Sequence, residues 1–164
     1  MFFNFKIKIM TTSTTITEVL QDLVKINEDR IKGYEKAGED IEKYDVDLKV
    51  VFEDMEEQSM DNVDELQEII LSFGGKVENE NSLSGTIHRA WIDMKAMFTG
   101  NDRVTVLNSC EFGEDAILKA YDSALASDAE IDAATRQVIT TQRAGLKQSH
   151  DQIKKYRDLN KAMA

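Results

Sequence analysis

Glu114 interrupts an otherwise apolar helical stripe, and it is the residue where the sequence most clearly allows chemistry. Residues 107–125 have helical periodicity, with one face made of Leu107, Cys110, Ile117, Leu118, Tyr121 and Leu125. A carboxylate on a buried helix face needs a hydrogen bond, a cation or a metal ion as its partner. The partner of Glu114 must therefore come from another helix.

Polar residues also interrupt the other long predicted helices near their midpoints. They are Asn27, Arg30, Glu57, Ser59, Asn62, Gln142, Ser149 and His150. The midpoints of packed helices lie at similar heights, so we expect these groups to meet in one layer. The first hypothesis is a buried hydrogen-bonded layer that contains Asn27, Arg30, Asn62 and Gln142, with Glu114 bonded to Arg30, Asn27 and a tyrosine hydroxyl.

The second hypothesis is a reduced metal site made of Glu57, Glu114 and His150. Carboxylates with one imidazole suit a divalent metal such as iron, manganese or zinc, the only cofactor that the sequence suggests. A full dimetal set has four carboxylates and two histidines, with a Glu-x-x-His pair on each of two helices. Here Met60 follows Glu57 by three residues and Lys147 precedes His150 by three, so the ligand set is incomplete.

No catalytic residue is predicted, and the sequence leaves open whether the protein is an enzyme. Cys110 lies on the apolar stripe and is expected to be an inert buried thiol. The sequence has no phosphate-binding glycine loop and no serine nucleophile arrangement.

The elements that position these groups are predicted to be four long helices and one short one. The chain has no proline, few aromatic residues and many charged ones, as is typical of a helical bundle. The long helices are predicted at residues 15–44, 47–73 and 103–126, and from a cap at Ser127 or Asp128 to residue 159. A short helix at 82–98 crosses between the second and third long helices, which makes those two parallel. This predicts an all-α, ferritin-like four-helix bundle.

Two units are expected along the chain: an N-terminal extension at residues 1–14 and the bundle at residues 15–160. Residues 1–10 alternate apolar and polar side chains like a strand, or form a flexible segment. They are too short, and too interrupted by lysine, to span a membrane.

The net charge of −11 is concentrated in residues 35–68, which hold fourteen acidic residues and three lysines. This balance argues against nucleic-acid binding. It is typical of a solvated acidic face, and the alternative is a surface that attracts cations or a basic protein partner. A single cysteine excludes an internal disulfide and predicts a cytoplasmic protein. No membrane partner is expected. A homo-oligomer, most simply a dimer, is also expected.

The sequence resembles a bacterial four-helix-bundle family called domain of unknown function 2383. The matching segments are Asn27-Glu-Asp-Arg-x-x-Gly-Tyr-Glu-Lys-Ala37, His88-Arg-Ala-Trp-x-Asp-x-Lys95, Phe98-Thr-Gly100, Cys110-Glu-x-Gly-Glu-Asp115, Lys119-Ala-Tyr121, His150-Asp151 and Arg157-Asp158. The resemblance implies a bacterial ferritin-like helical domain without an established activity, and analogy with related groups suggests a role in stress.

These observations favour a non-catalytic ferritin-like bundle that acts through self-association or partner binding. The alternative is a dimetal-carboxylate protein with oxidase or storage chemistry. Asn27 stands where the ferritin-like pattern has a glutamate, and this departure weighs against the alternative.

Overall fold

The computed structural model describes residues 15–41, 45–76 and 102–163, which form four helices. They are α1 (Ile16–Asp40), α2 (Val46–Ser72), α3 (Arg103–Leu125) and α4 (Ala133–Met163). Helices are the only regular elements in these three ranges, which confirms the predicted all-α class. The strand-like residues 1–10 and the predicted short helix at 82–98 lie outside the described residues.

α1 begins at a side-chain cap, because the Thr15 hydroxyl accepts a hydrogen bond from the Glu18 N–H at 3.1 Å. The helix ends at Asp40, four residues before the predicted end. Ile41 takes an extended conformation (φ −74°, ψ 161°), although its N–H still bonds the Ala37 carbonyl. The prediction had continued the apolar seam through Ile41 to residue 44, whereas the backbone leaves the helix with Ile41 still buried.

The cap of α4 is Asp132, not Ser127 or Asp128 as the sequence had suggested. The Asp132 carboxylate accepts the Thr135 N–H at 3.2 Å, and α4 begins at the next residue, Ala133. Ser127 closes the preceding helix instead, since its hydroxyl donates to the Ala124 carbonyl at 2.8 Å. α4 also continues past the predicted end to Met163.

Two neighbouring helix pairs are antiparallel, as predicted. Asn62 of α2 bonds Asn27 of α1, and Ser59 bonds Arg30, so residue numbers rise along α1 as they fall along α2. α3 and α4 also run in opposite directions. Tyr121 of α3 bonds Gln142 of α4, and Arg103, nearer the start of α3, bonds Asn160, nearer the end of α4.

The contacts between α1 and α3 fix the topology. Asn27 bonds Tyr121, whereas Arg30 and Tyr34 bond Glu114, so α1 and α3 are also antiparallel. α2 and α3 therefore run parallel, as the ferritin-like connection requires. In the ranges that the structure describes, no helix combines the length and apolar character needed to cross a membrane.

The core consists of two apolar clusters. One includes Leu20, Leu23, Leu66, Ile70, Ile117 and Leu146; the other includes Leu48, Phe52, Met55, Val106, Leu107 and Ile153. Buried polar residues lie between these clusters along the helices: Asn27, Arg30, Ser59, Asn62, Glu114 and Gln142. We call these six residues, with Tyr34 and Tyr121, the polar layer.

Candidate functional site

Arg30 and Glu114 form an ion pair in the middle of the polar layer, with both side chains fully shielded from solvent. Two guanidinium nitrogens, Nε and Nη2, each lie 2.8 Å from Glu114 Oε1. Nη1 donates to the Ser59 hydroxyl at 2.8 Å and to the Met55 carbonyl at 3.1 Å. One guanidinium therefore connects α1 to both α2 and α3.

Tyr34 adds a third donor to Glu114 Oε1 through its hydroxyl. Its ring lies 5.3 Å from Arg30 Cζ, measured to the ring centroid, and packs on Phe52 at a centroid distance of 5.4 Å. The other carboxylate oxygen, Oε2, is buried and has no hydrogen-bond partner among the described residues. Glu114 is thus bound through one oxygen only.

A second group of hydrogen bonds connects all four helices. The Asn27 amide donates to the Tyr121 hydroxyl at 2.8 Å, and that hydroxyl donates to Gln142 Oε1 at 2.7 Å. Gln142 Nε2 donates to the Asn62 carbonyl at 3.3 Å, and Asn62 Nδ2 donates to Asn27 Oδ1 at 3.2 Å. These bonds close a ring through α1, α3, α4 and α2.

The four residues predicted for the layer, Asn27, Arg30, Asn62 and Gln142, therefore all take part in it. The predicted bond between Asn27 and Glu114 is wrong. Asn27 lies one helical turn from Arg30, where it meets Tyr121 instead.

Burial controls the protonation of the groups around Glu114. Burial, followed by the nearby charge of Glu114, raises the pKa of Tyr34 well above its ordinary value, so Tyr34 remains a hydrogen-bond donor. The same two causes raise the pKa of Cys110, which keeps it a neutral thiol rather than a nucleophile. Burial is the largest single influence on Arg30 and lowers its pKa, but the charge and hydrogen bond of Glu114, together with Tyr34 and Tyr121, outweigh burial and raise the pKa of the guanidinium.

The three predicted metal ligands lie in three different places. Glu114 is in the polar layer, Glu57 is exposed on α2, and His150 is partly buried, with Nε2 2.7 Å from Asp115 Oδ1 on α3. Among described residues, one group of acidic, histidine or cysteine side chains is close enough to share an ion. It includes His150 but neither Glu57 nor Glu114. The structure therefore does not bring Glu57, Glu114 and His150 together.

Helix geometry explains why Glu57 is not in the layer. Ser59 follows it by two residues and is buried, and residues two apart in a helix face nearly opposite directions. The buried polar residues of α2 are Ser59 and Asn62, three apart, which is the spacing of a Glu-x-x-His pair. The informative spacing in the sequence was therefore Ser59-x-x-Asn62.

The polar layer does not fit a dimetal-carboxylate centre. Such a centre uses carboxylates and imidazoles as ligands. The described residues of the layer offer one carboxylate, with amides and hydroxyls elsewhere, and the carboxylate is bonded to a guanidinium. The unpaired Oε2 of Glu114 is a single donor atom, too few to hold even one ion.

Asp115 and Glu111 lie beside His150, and the sequence did not indicate that the three residues come together. They are four residues apart on α3 and therefore share one face of that helix. Their proximity to His150 depends on the antiparallel packing of α3 and α4. Spacing could have identified the carboxylate pair, but only the helix register shows which residue of α4 lies opposite.

Comparison with known proteins relates this arrangement to one family and one fold. The family model of a domain of unknown function (DUF2383) matches residues 15–127. Among curated proteins, no relative was found. A solved structure, described as a dodecameric thioferritin, the bacterioferritin-related protein from Bacteroides fragilis, is similar with a TM-score of 0.70 and 13% identity. The match covers 98% of this chain and 96% of that chain.

The structural match has low sequence identity and therefore shows a shared ferritin-like helical fold and nothing further. The family match covers more than half of the chain and confirms the resemblance found in the sequence. This protein belongs to the DUF2383 family.

Proposed function

We propose that this protein is a non-catalytic ferritin-like bundle that acts by self-association or by binding a protein partner. The observation that carries the proposal is the position of Arg30, whose guanidinium is bonded to Glu114 and Ser59 inside the polar layer. A guanidinium stays protonated in proteins. It therefore keeps a positive charge beside the only carboxylate found among the layer residues, and this charge repels a metal ion.

The alternative is a dimetal-carboxylate protein that oxidises or stores iron, manganese or zinc. The ferritin-like fold is compatible with it. The donor set opposes it, because Asn27, Asn62 and Gln142 contribute neutral amides that already bond one another or Tyr121. We therefore rank it second.

Self-association is supported by large apolar side chains on the outer surface at α2. Val46, Val50, Met60, Leu71 and Phe73 are between 46% and 61% exposed. The structural relative is described as dodecameric, which is compatible with an assembly here, although it does not favour the dimer predicted from the sequence. Exposed acidic residues lie between these apolar side chains on α2, so a basic protein is the alternative partner for this surface. A bacterial source, a cytoplasmic location and a role in stress stay predictions.

Metal analysis tests the non-catalytic proposal. Wild-type protein and Glu114→Gln are purified without chelator, and iron, manganese and zinc per chain are measured for protein that circular dichroism shows to be folded. We expect equal metal content in both proteins, and no oxidation of added Fe²⁺ faster than in buffer. A stoichiometric metal that is present in wild type and lost in Glu114→Gln would support the dimetal alternative instead.

Sedimentation velocity tests the association surface. Val50→Asp is expected to weaken self-association, whereas Leu159→Asp on α4, a control with the same 52% exposure, is expected to leave it unchanged. Added salt should strengthen association, because it screens repulsion between acidic α2 surfaces. A wild-type monomer at all concentrations would contradict self-association, and a basic partner would then be sought.

A further inference from the structure

Glu111, Asp115 and His150 form a cluster on the surface of the α3–α4 pair, away from the polar layer. One potential ligand atom from each residue lies within 4.8 Å of the other two. The side chains of Glu111 and His150 are 13% and 12% exposed, whereas that of Asp115 is 53% exposed. We propose that these three residues bind a divalent cation of the zinc type, with water completing its coordination.

The positions of the three residues suit a preformed site. Glu111 and Asp115 are one turn apart on α3, and His150 lies opposite on α4. All three therefore extend from helices that are packed against each other, and not from loops. Ligands held on rigid elements need less ordering when an ion binds.

The orientation of His150 is the feature that points most directly to a metal. Its Nε2 faces Asp115 at 2.7 Å, while Nδ1 faces Asp151 at 3.1 Å. Histidine ligands commonly donate their second ring N–H to a carboxylate, which fixes the tautomer and aims the free nitrogen at the ion. Lys147 lies 2.6 Å from Asp151 and holds that carboxylate in place.

In the neutral tautomer with its proton on Nδ1, His150 presents an Nε2 lone pair toward Asp115 and Glu111. A bound dication replaces the direct contact between Nε2 and Asp115, and this exposed carboxylate moves away from its 2.7 Å position to make room for the ion. The outer carboxylate, Asp151, keeps its bond to the ring in both forms. The contact with Asp151 therefore lets the histidine ring keep its orientation when an ion binds.

The local charge also favours a cation. Four carboxylates surround the site: Glu111, Asp115, Asp151 and Asp158. Two cationic side chains, Lys147 and Arg157, pair with some of them, so negative charge remains in excess. Arg157 contacts Glu111, so it competes with a metal for one oxygen of that carboxylate. It also lies 2.9 Å from Asp158, a second acidic partner that it keeps when Glu111 turns to an ion.

The mixed ligand set selects the class of ion. Imidazole nitrogen suits zinc and other first-row transition metals, whereas Mg²⁺ and Ca²⁺ prefer oxygen ligands alone. Two carboxylates with one imidazole also leave coordination positions for water, as in open zinc sites. We therefore use Zn²⁺ as the probe, in the presence of excess Mg²⁺.

The same helix pair provides a matched control. Asp122 and Arg143 lie seven residues from Asp115 and His150, respectively, and they also pair across α3 and α4. The Asp122 side chain is 55% exposed, close to the value for Asp115. Its partner is an arginine, which has no lone pair to offer a metal.

Isothermal titration of chelator-treated full-length protein with Zn²⁺ tests the proposal. Wild type is expected to bind one equivalent, with Co²⁺ giving a visible absorption band at the same site. Asp115→Asn should weaken Zn²⁺ binding and suppress the band by at least about 10-fold, since even losing a hydrogen-bond partner of a ligand costs about 10- to 100-fold. Asp151→Asn should weaken binding by about 10-fold, and Asp122→Asn should leave it unchanged.

Two results would overturn the site: wild type that does not bind one equivalent of Zn²⁺, or equal affinities for Asp115→Asn and Asp122→Asn. Because Asp115 and Asp122 are both exposed, circular dichroism should show folded protein in each case. Glu114→Gln should retain the Zn²⁺, which distinguishes this site from metal bound in the polar layer.

Discussion

The polar layer and the surface cluster each place a carboxylate of α3 against a nitrogen base from another helix. In the layer, Glu114 meets Arg30, and both side chains are fully buried. On the surface, the adjacent residue Asp115 meets His150, with side-chain exposures of 53% and 12%. Two consecutive acidic residues thus point to opposite environments.

The two nitrogen groups differ in whether they have a lone pair for a metal ion. The guanidinium of Arg30 remains charged and has no lone pair, so Glu114 remains in an ion pair with it. The imidazole of His150, in its neutral form, has a nitrogen lone pair that it can offer to a metal. We therefore propose that the core carboxylate is structural here, while the exposed one beside it binds an ion.

The largest effect is expected for Glu114→Gln. Removing one member of a buried ion pair leaves an uncompensated charge, here on Arg30, and should lower the free energy of unfolding by about 3 to 5 kcal/mol. Urea unfolding followed by circular dichroism measures the loss. The neighbouring Asp115→Asn changes an exposed carboxylate and should cost less than about 1 kcal/mol. Similar losses in the two variants would remove the distinction between layer and surface.

A smaller loss is expected for Tyr121→Phe. The hydroxyl of Tyr121 accepts from Asn27 and donates to Gln142, so its removal takes one hydrogen bond from each of two buried amides. The expected cost is about 1 to 3 kcal/mol. Tyr156→Phe is the control, because Tyr156 is only partly buried and packs outside the layer. If both substitutions were neutral in urea unfolding, the ring of hydrogen bonds would contribute nothing to stability.

The smallest effect is expected for Asp22 of α1, whose pKa depends mainly on burial and not on a charged partner of opposite sign. Burial, with the charge of Glu18 as a second cause, raises the pKa of Asp22 to about 6. The folded protein therefore binds the proton of Asp22 more tightly than the unfolded chain does, in which this carboxyl has its ordinary pKa of 3.8. The ionised form destabilises the fold progressively as pH rises between these values, and fully above about pH 6.

Asp22→Asn should accordingly raise the urea midpoint near pH 7 and leave it unchanged near pH 4. The gain should be about 1 kcal/mol or less, because Asp22 is partly exposed and solvent screens its charge. An equal change at both pH values would show that the substitution acts through packing and not through the charge.

Much of the fold follows from local patterns in the sequence. The apolar seams place all four long helices, and the cap at Asp102 sets the start of α3. The long connection between α2 and α3 predicts that they run parallel, as the register of hydrogen bonds confirms. The predicted start of α4 was wrong because several residues before the helix have side chains that can cap it. Only the backbone geometry selects Asp132.

The site was predicted less completely, since residue types do not specify partners. Polar interruptions of the seams identify Asn27, Arg30, Asn62 and Gln142, because buried polar groups must find hydrogen bonds. The assignment of Glu57 followed the acidic residue type rather than the helical face, and it placed an exposed side chain in the core. Ser59, which fills that role, is a weaker signal because serine occurs in many environments.

The sequence by itself determined that Glu114 is buried and needs a partner, since helical periodicity fixes which face a residue occupies. Tertiary structure decided that the partner is Arg30, because the relative height of two helices depends on packing along their whole length. The same packing turned Asp115 toward His150, one residue farther along α3. A rotation of about 100° per residue places these neighbouring carboxylates in the core and at the surface, respectively.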